Sequence, residues 1–390
     1  MTRRTPKSFV LILLFVTAIS CDNEMDMQSS IPGEIRQLPN LTVIDTSSIK
    51  YDLTLEKDLS LDQMNYDFTQ SLWDVYSDFS GNIYWADNTI VKIHQFDSDG
   101  NFLHSIGKQG RGPGELEFLR SSSVYDKHMF LLDYASQDVH VYDVECDEYI
   151  ETLNIRIEAE GDEFPSRFSD ITAVSDSSFY AFLKRSMRDP DDRVRLYKFL
   201  LETGEGVELL EFPDHDMIVQ KRAGGSSRTF ADFMAKSEIV KLKNERFLHA
   251  HAGNGLIKFF DNQGEYEKAM YIDFTPKPLS NKDIRYVVEN SNPMLAPRVE
   301  AADELPDLWP VWHRLFSDPS DNIWVEMNIN PPEERELWVI SPDGQLLGKT
   351  DSRNLGWIRF VDDQYLYSTQ NDGGIHLLER YRVSMGVWGN

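Results

Sequence analysis

The chain is short of cysteine, of positive charge and of long apolar runs, and each shortage excludes something. Only Cys21 and Cys146 occur in 390 residues. No disulfide framework of the small secreted kind is available, so stability has to come from a large buried core, with Cys146 expected as a half-buried bystander. Lys and Arg number 39 against 65 Asp and Glu, a net charge of −26. A surface of that sign repels nucleic acid and anionic lipid, which argues against both as partners and makes any local cluster of Arg and Lys informative. Helical periodicity is nearly absent; only stretches such as Asn281 to Asn290 have room for a turn or two. Neither a Gly-x-Ser-x-Gly elbow nor a His-Glu-x-x-His pair occurs, so two common hydrolase signatures are missing.

Near the N-terminus, Arg3, Arg4 and Lys7 precede an apolar run of 11 residues, Phe9 to Ile19. That run is too short to span a bilayer and reads as the core of an export signal. It closes in AISC. The pattern resembles a bacterial lipoprotein signal, which implies that residues 1–20 are removed and that Cys21 carries lipid, anchoring the protein without a spanning helix. An ordinary secretory signal cut nearby is the alternative. The acidic DNEMD after Cys21 resembles the surface-export tags of Bacteroidetes lipoproteins, and a solvated linker explains it as well. Residues 21–33 are expected to be a tether and 34–390 the folded domain.

Three short patterns recur along that domain. A turn followed by an apolar and aromatic run appears as GNIYWAD from Gly81, KHMFLLD from Lys127, SSFYAF from Ser177, ERFLHA from Glu245, DNIWVE from Asp321 and DQYLYS from Asp363. A short apolar segment precedes each, from LWDVYSD at Leu72 to GWIRFVD at Gly356. Hairpin signals follow in several copies, as in FDSDGNFL from Phe96, FDNQGEY from Phe260 and ISPDGQLL from Ile340, where Gly supplies the positive φ of the turn. Each unit therefore reads as four antiparallel strands. Six such units make an all-β, six-bladed β-propeller. Strand-like runs at Leu41 to Ile44 and Ile49 to Leu55 precede the first unit, and one of them is expected to close the last blade and cover its edge.

The stretch IGKQGRGPGEL, from Ile106, carries four glycines within this pattern. A phosphate loop would put Lys-Ser or Lys-Thr after the last glycine and a helix beyond it, whereas Gly114 is followed by Glu115 and strand-like residues. It reads as a blade-to-blade crossover. Together with FDSDGNFLHSIG it resembles the six-bladed β-propeller lipoproteins common in Bacteroidetes, which are related in pattern to NHL-repeat propellers. The resemblance runs from about Leu41 to the C-terminus and is densest between Leu72 and Leu116. It implies fold and an exported, membrane-anchored location, at an outer membrane, more firmly than it implies function.

Candidate chemistry lies in two insertions, 213–236 and 275–310, too long for ordinary loops. The first holds Lys221, Arg222 and Arg228; the neighbouring unit adds Lys184, Arg185, Arg188 and Arg193. Arg forks suit carboxylates, so this is a candidate anion site, with pairing to Asp189, Asp191 and Asp192 as the structural alternative. The second ends in Trp309, Trp312, His313 and Arg314, suited to stacking a sugar ring or anchoring a partner, or else to wedging blades apart. His249 and His251 share one strand face, half of a metal site with no third ligand named. Asp97 and Asp99 resemble a calcium loop but are explained by the hairpin. The inner strands offer Asp74, Ser121, Asp170, Arg314 and Arg359 to the channel. That set is poor in Asn and mixed in charge, unlike the Glu, two Asn and Asp of propeller lactonases. The expectation is a non-catalytic recognition scaffold of the cell envelope with no cofactor, binding an anionic or carbohydrate ligand or a protein partner. The alternative is a propeller enzyme, a divalent-cation lactonase or hydrolase, or a lyase, with its site at the channel mouth.

Overall fold

Along Ile323–Asn330, Ile323, Val325 and Met327 join one hydrophobic cluster and Trp324 joins another. Successive side chains of a strand point to opposite faces, so a strand apolar on both needs a sheet on each flank. Sheets stacked radially meet that demand for every sheet at once.

The computed structural model describes residues 31–62, 72–155, 157, 166–184, 193–222, 225–291, 295–372 and 374–387. The chain forms two compact units, Met1–Leu38 and Pro39–Asn390. In the first, Gly33–Arg36 makes a helical turn, with Arg36 Nη2 donating to the Ile31 carbonyl at 2.9 Å. The second is a six-bladed β-propeller. From the channel outward, blade 1 is Leu72–Ser77, Ile83–Asp87, Lys92–Phe96 and Phe102–Ile106. Blade 2 is Leu119–Tyr125, His128–Asp133, Asp138–Asp143 and Glu148–Asn154. Blade 3 is Arg167–Ser175, Ser178–Lys184, Arg193–Leu200 and Gly206–Pro213. Blade 4 is Ser237–Lys241, Phe247–His251, Leu256–Phe260 and Tyr266–Tyr271. Blade 5 is Trp312–Ser317, Ile323–Asn330, Glu334–Ile340 and Leu346–Asp351. Blade 6 takes Trp357–Val361, Tyr365–Asp372 and Ile375–Val387 from the C-terminal end and its outermost strand, Tyr51–Asp62, from the N-terminal end.

Each of the six blade interfaces has its own apolar cluster, and the aromatics of the repeat fill them. Phe130 and Phe179 meet between blades 2 and 3 at 5.4 Å, and Tyr180 and Phe247 between blades 3 and 4 at 5.6 Å. The hairpin glycines behave as their spacing requires: Gly100, Gly264 and Gly344 have φ of 84°, 84° and 90°. Asp97 is consumed by its own turn, accepting from the amides of Asp99 and Asn101 and from Asn101 Nδ2. The crossover after Ile106 is held the same way. Glu115 accepts from the Gly112 amide at 3.0 Å and pairs with Lys108 at 2.5 Å, so a carboxylate fills the place a phosphate would need.

The two early strands go to different places. Leu41–Val43 lies parallel to the outer strand of blade 4, Leu41 opposite Ala269. Tyr51–Asp62 closes blade 6, antiparallel to Ile375–Val387, from Tyr51 opposite Val387 to Asp62 opposite Leu377. A register shift between Lys57 and Leu59 swaps the strand's faces. Before it, Leu53 and Leu55 pack toward blade 5; after it, Leu59 and Leu61 pack toward blade 1.

The two insertions build one small core beside the ring, from Ile218, Phe233, Val287, Leu295 and Trp309. The first contributes the hairpin Ile218–Arg222 and Gly225–Thr229, the second the helices Asn281–Asn290 and Ala296–Glu300. The longer helix is a full ten residues, closed by a capping box in which Ser280 and Asp283 exchange hydrogen bonds. Burial opposes ionisation of Asp283, but the bonds from Ser280, with Lys277 and the Trp309 indole, outweigh it and hold its pKa below the usual value. Asp283→Ala is expected to cost about 1–2 kcal/mol. It should speed proteolysis within 213–236 and 275–310 while leaving the propeller's own melting transition in place; a common shift of both would show that insertion and ring unfold together.

Candidate functional site

The crossover loops enter the inner strands at one end of the channel, so the first residues of those strands ring its mouth. Asp74, Arg120, Asp170, Glu238, Arg314 and Arg359 stand there. Blades 1 to 3 supply Asp74, Arg120 and Asp170 to the ring, blades 4 to 6 Glu238, Arg314 and Arg359. On the side of blades 1 to 3, Ser121 donates to Asp170, and the Ile171 amide donates to the same oxygen at 2.9 Å. Asp74 accepts from the Ser122 amide. Burial and then the neighbouring Asp170 raise Asp74's pKa, Arg359 and Arg120 pull against both, and the net is about 7. Asp170 is raised as well, again chiefly by burial. Its side chain is exposed within the channel mouth yet surrounded by protein, which is how an accessible carboxyl is also a desolvated one.

On the side of blades 4 to 6 the cationic groups surround one indole. Trp357 is 41% exposed. Arg314 lies over its ring at 4.5 Å, Lys236 at 5.8 Å and Arg359 at 6.0 Å, and His313 meets it edge-on at 5.4 Å. Arg314 is fixed by donating to the Ile358 carbonyl, and Lys236 pairs with Glu238 at 2.9 Å. Burial, then the charges of Arg335, Lys236 and Arg314, hold His313 well below its ordinary pKa, so it is a neutral packing ring. Trp357 and Arg359 also line a cleft of about 700 Å³ with Arg353, Asn354, Gly356, Thr369, Gln370, Asn371 and His376. Among the described residues no carboxylate lines it, in a chain carrying −26. Arg353 is tied to Asp351. Arg359 donates through Nε to Thr369 Oγ1 at 2.8 Å, and its terminal nitrogens have no hydrogen-bond partner among the described residues. Burial lowers its pKa to about 10, leaving it charged at neutral pH.

The residues singled out from sequence are dispersed by the fold. Arg314 and His313 belong to the mouth, with His313 beneath the indole. Trp312 is fully buried between blades 4 and 5, and Trp309 is buried in the insertion core against Phe233, so neither offers a face to a ligand; both are wedges. Lys221 and Arg222 lie on the insertion hairpin with side chains outside the described residues, as Arg185, Arg188 and Cys21 are altogether; Arg228 is half-buried on the same hairpin. His249 bonds Ser237 at 3.2 Å and packs on Phe212, and burial takes its pKa down to about 4. His251 pairs with Asp216 at 3.7 Å. Among the described residues no group of three or more His, Cys, Asp or Glu is placed to hold a metal ion. Cys146 is exposed, in the hairpin at the rim of blade 2, and not half-buried: the turn carries it past the last packed residue, Val144. Trp357 was missed, although it stands in the quoted GWIRFVD. Nothing in the run marks one aromatic among many as the uncovered one.

Fold and geometry define the class, a six-bladed β-propeller with a charged channel mouth. The comparisons agree with it. The DUF5128 family, described as a 6-bladed beta-propeller, matches residues 75–233. Among solved structures, a member of the DUF4221 family from Bacteroides vulgatus is similar at a TM-score of 0.53 and 14% identity, over 86% of this chain and 100% of that one. A protein described as exported, from Bacteroides fragilis, gives 0.48 and 12%, over 88% and 99%. No curated protein matches. The family match over residues 75–233 and the similarity to the Bacteroides vulgatus structure both give the six-bladed propeller fold.

Proposed function

We propose that the protein is a non-catalytic recognition scaffold, exported and held at a membrane by lipid on Cys21, whose ligand is anionic and docks at the crossover-side mouth on Trp357. The observation that carries this reading is the exposed indole flanked by Arg314, Lys236 and Arg359 beside a cleft with no carboxylate among its described lining residues. Aromatic platforms with convergent polar groups are what small-ligand sites are built from, and cations over an indole hold a negative charge near it. A strongly acidic chain keeps such a patch only against its own bulk field.

The test is a thermal-shift screen of the full chain against small carboxylates, phosphates, and neutral and acidic sugars. An anionic compound that raises the melting temperature should lose its effect in Trp357→Ala, with affinity down about 10- to 100-fold for loss of a central aromatic anchor. Equal stabilisation of both proteins would place the ligand elsewhere and sink the reading. A second reading, an enzyme, is favoured by one observation: the Asp74–Asp170 pair, with Asp74 near 7, is the kind of coupled carboxyl pair that general acid–base chemistry employs. Chemical turnover of the bound compound, abolished by Asp74→Asn with binding intact, would decide for it.

A further inference from the structure

The geometry points to a carboxylate carried on a sugar ring, that is, to an oligosaccharide containing uronic acid; this rests on the binding reading above and narrows its ligand. Three features of the cleft each remove alternatives. The first is the guanidinium of Arg359. With Nε committed to Thr369 and the two terminal nitrogens unpartnered among the described residues, one bidentate edge is left. That edge matches a carboxylate or a phosphate; with Arg314 held by the Ile358 carbonyl and Lys236 by Glu238, one singly charged fork favours the monoanionic carboxylate. The other guanidinium lining the cleft, Arg353, is already paired with Asp351.

The second feature is the platform. Trp357 is 41% exposed with Arg314 closest to its ring at 4.5 Å and Lys236 and Arg359 farther off at 5.8 and 6.0 Å, so part of the indole is accessible to a stacked ring. Pyranose rings stack on single indole faces through their C–H edges, and an acyclic acid gains little there. The third feature is the rest of the lining. Asn354, Gln370, Asn371 and Thr369 supply both donors and acceptors, the mixture that ring hydroxyls need. A cleft of about 700 Å³ exceeds one sugar unit and is in the usual range for small-molecule sites, so a short oligomer fits it.

The experiment is isothermal titration of the full chain with three probes: a galacturonate trimer, the same trimer as its methyl ester, and a neutral glucose trimer. The acid should bind about 10- to 100-fold more tightly than its ester, and Arg359→Gln should bring acid and ester to the same affinity. Arg359→Lys, which keeps the charge and loses the fork, should recover only part of the preference. Circular dichroism and melting temperature establish that both variants are folded. Equal binding of acid and ester, lost in Trp357→Ala, overturns the carboxylate assignment and leaves the Trp357 site standing. An acid preference that survives Arg359→Gln also overturns it, by placing the charge on another group. No binding of any probe overturns the uronate assignment, and the Trp357 reading is then judged by its own screen.

Discussion

A chain carrying Leu53→Ala and Leu61→Ala should melt far below the wild type and unfold as a whole, not fray at one end. Both side chains are about 5% exposed, in two different blade interfaces, because the register shift at Lys57 turns the strand over between them. A buried Leu→Ala costs about 2–5 kcal/mol, and sites in separate interfaces add, giving about 4–10 kcal/mol against a total stability of about 5–15. The strand also covers Ile375–Val387, which would otherwise present 13 residues of open edge. Arg380 adds a tie, bonding Asp58 at 3.0 Å and the Ser98 carbonyl of blade 1 at 2.6 Å, so the closing strand, blade 6 and blade 1 share one network. Urea and thermal denaturation measure the loss. As a comparison, Leu41→Ala, on the strand added outside blade 4, should cost under about 1 kcal/mol, because that side chain is only half-buried. A double variant melting within a few degrees of the wild type would mean that the ring closes without this strand.

How much of this was legible in the sequence follows from where the information resides. Strand order was, since every unit repeats a turn and an aromatic run and the repeat dictates the pairing. DPSDN before Ile323 repeats the turn of DFSGN before Ile83, and in both loops the first Asp caps the turn and accepts from an aromatic on the following strand: Tyr84 to Asp78 at 2.8 Å, Trp324 to Asp318 at 3.0 Å. Ring closure was legible too, because an edge needs a partner and Ile49 to Leu55 was at hand. The site was less so. A Trp in a propeller sequence is as good a wedge as a platform, and which it becomes depends on what the neighbouring blade puts over it. Trp312 and Trp357 each begin an inner strand; the first packs into the cluster between blades 4 and 5 and is fully buried, whereas the second is 41% exposed. That difference is between distant segments and leaves no local trace. The cationic loops that stood out in sequence did so by composition, while the cations around Trp357 come singly from three separate stretches, at Lys236, Arg314 and Arg359.

Asp74→Asn should stabilise the protein, and increasingly so as pH rises. In the folded protein burial and Asp170 raise the Asp74 carboxyl from 3.8 to about 7. A raised acid favours the protonated fold: its contribution is best below the unfolded value, is lost progressively as pH climbs from about 4 to 7, and levels off above. The asparagine keeps the shape and an oxygen for the Ser122 amide while removing the ionisation. Between pH 5 and pH 8 the variant's advantage should therefore grow by about 2 kcal/mol, less than the full linkage value because channel water screens the group. Urea midpoints of both proteins across that range measure it. Parallel curves would mean that Arg359 and Arg120 already hold Asp74 ionised. Asp170→Asn should act in the same direction, since its carboxyl is raised too. The double variant, however, should gain less than the two single gains added, because each single change already relieves the one repulsion the two carboxyls share. A fully additive pair would show that burial alone raises both acids and that the two carboxyls do not sense each other across the mouth.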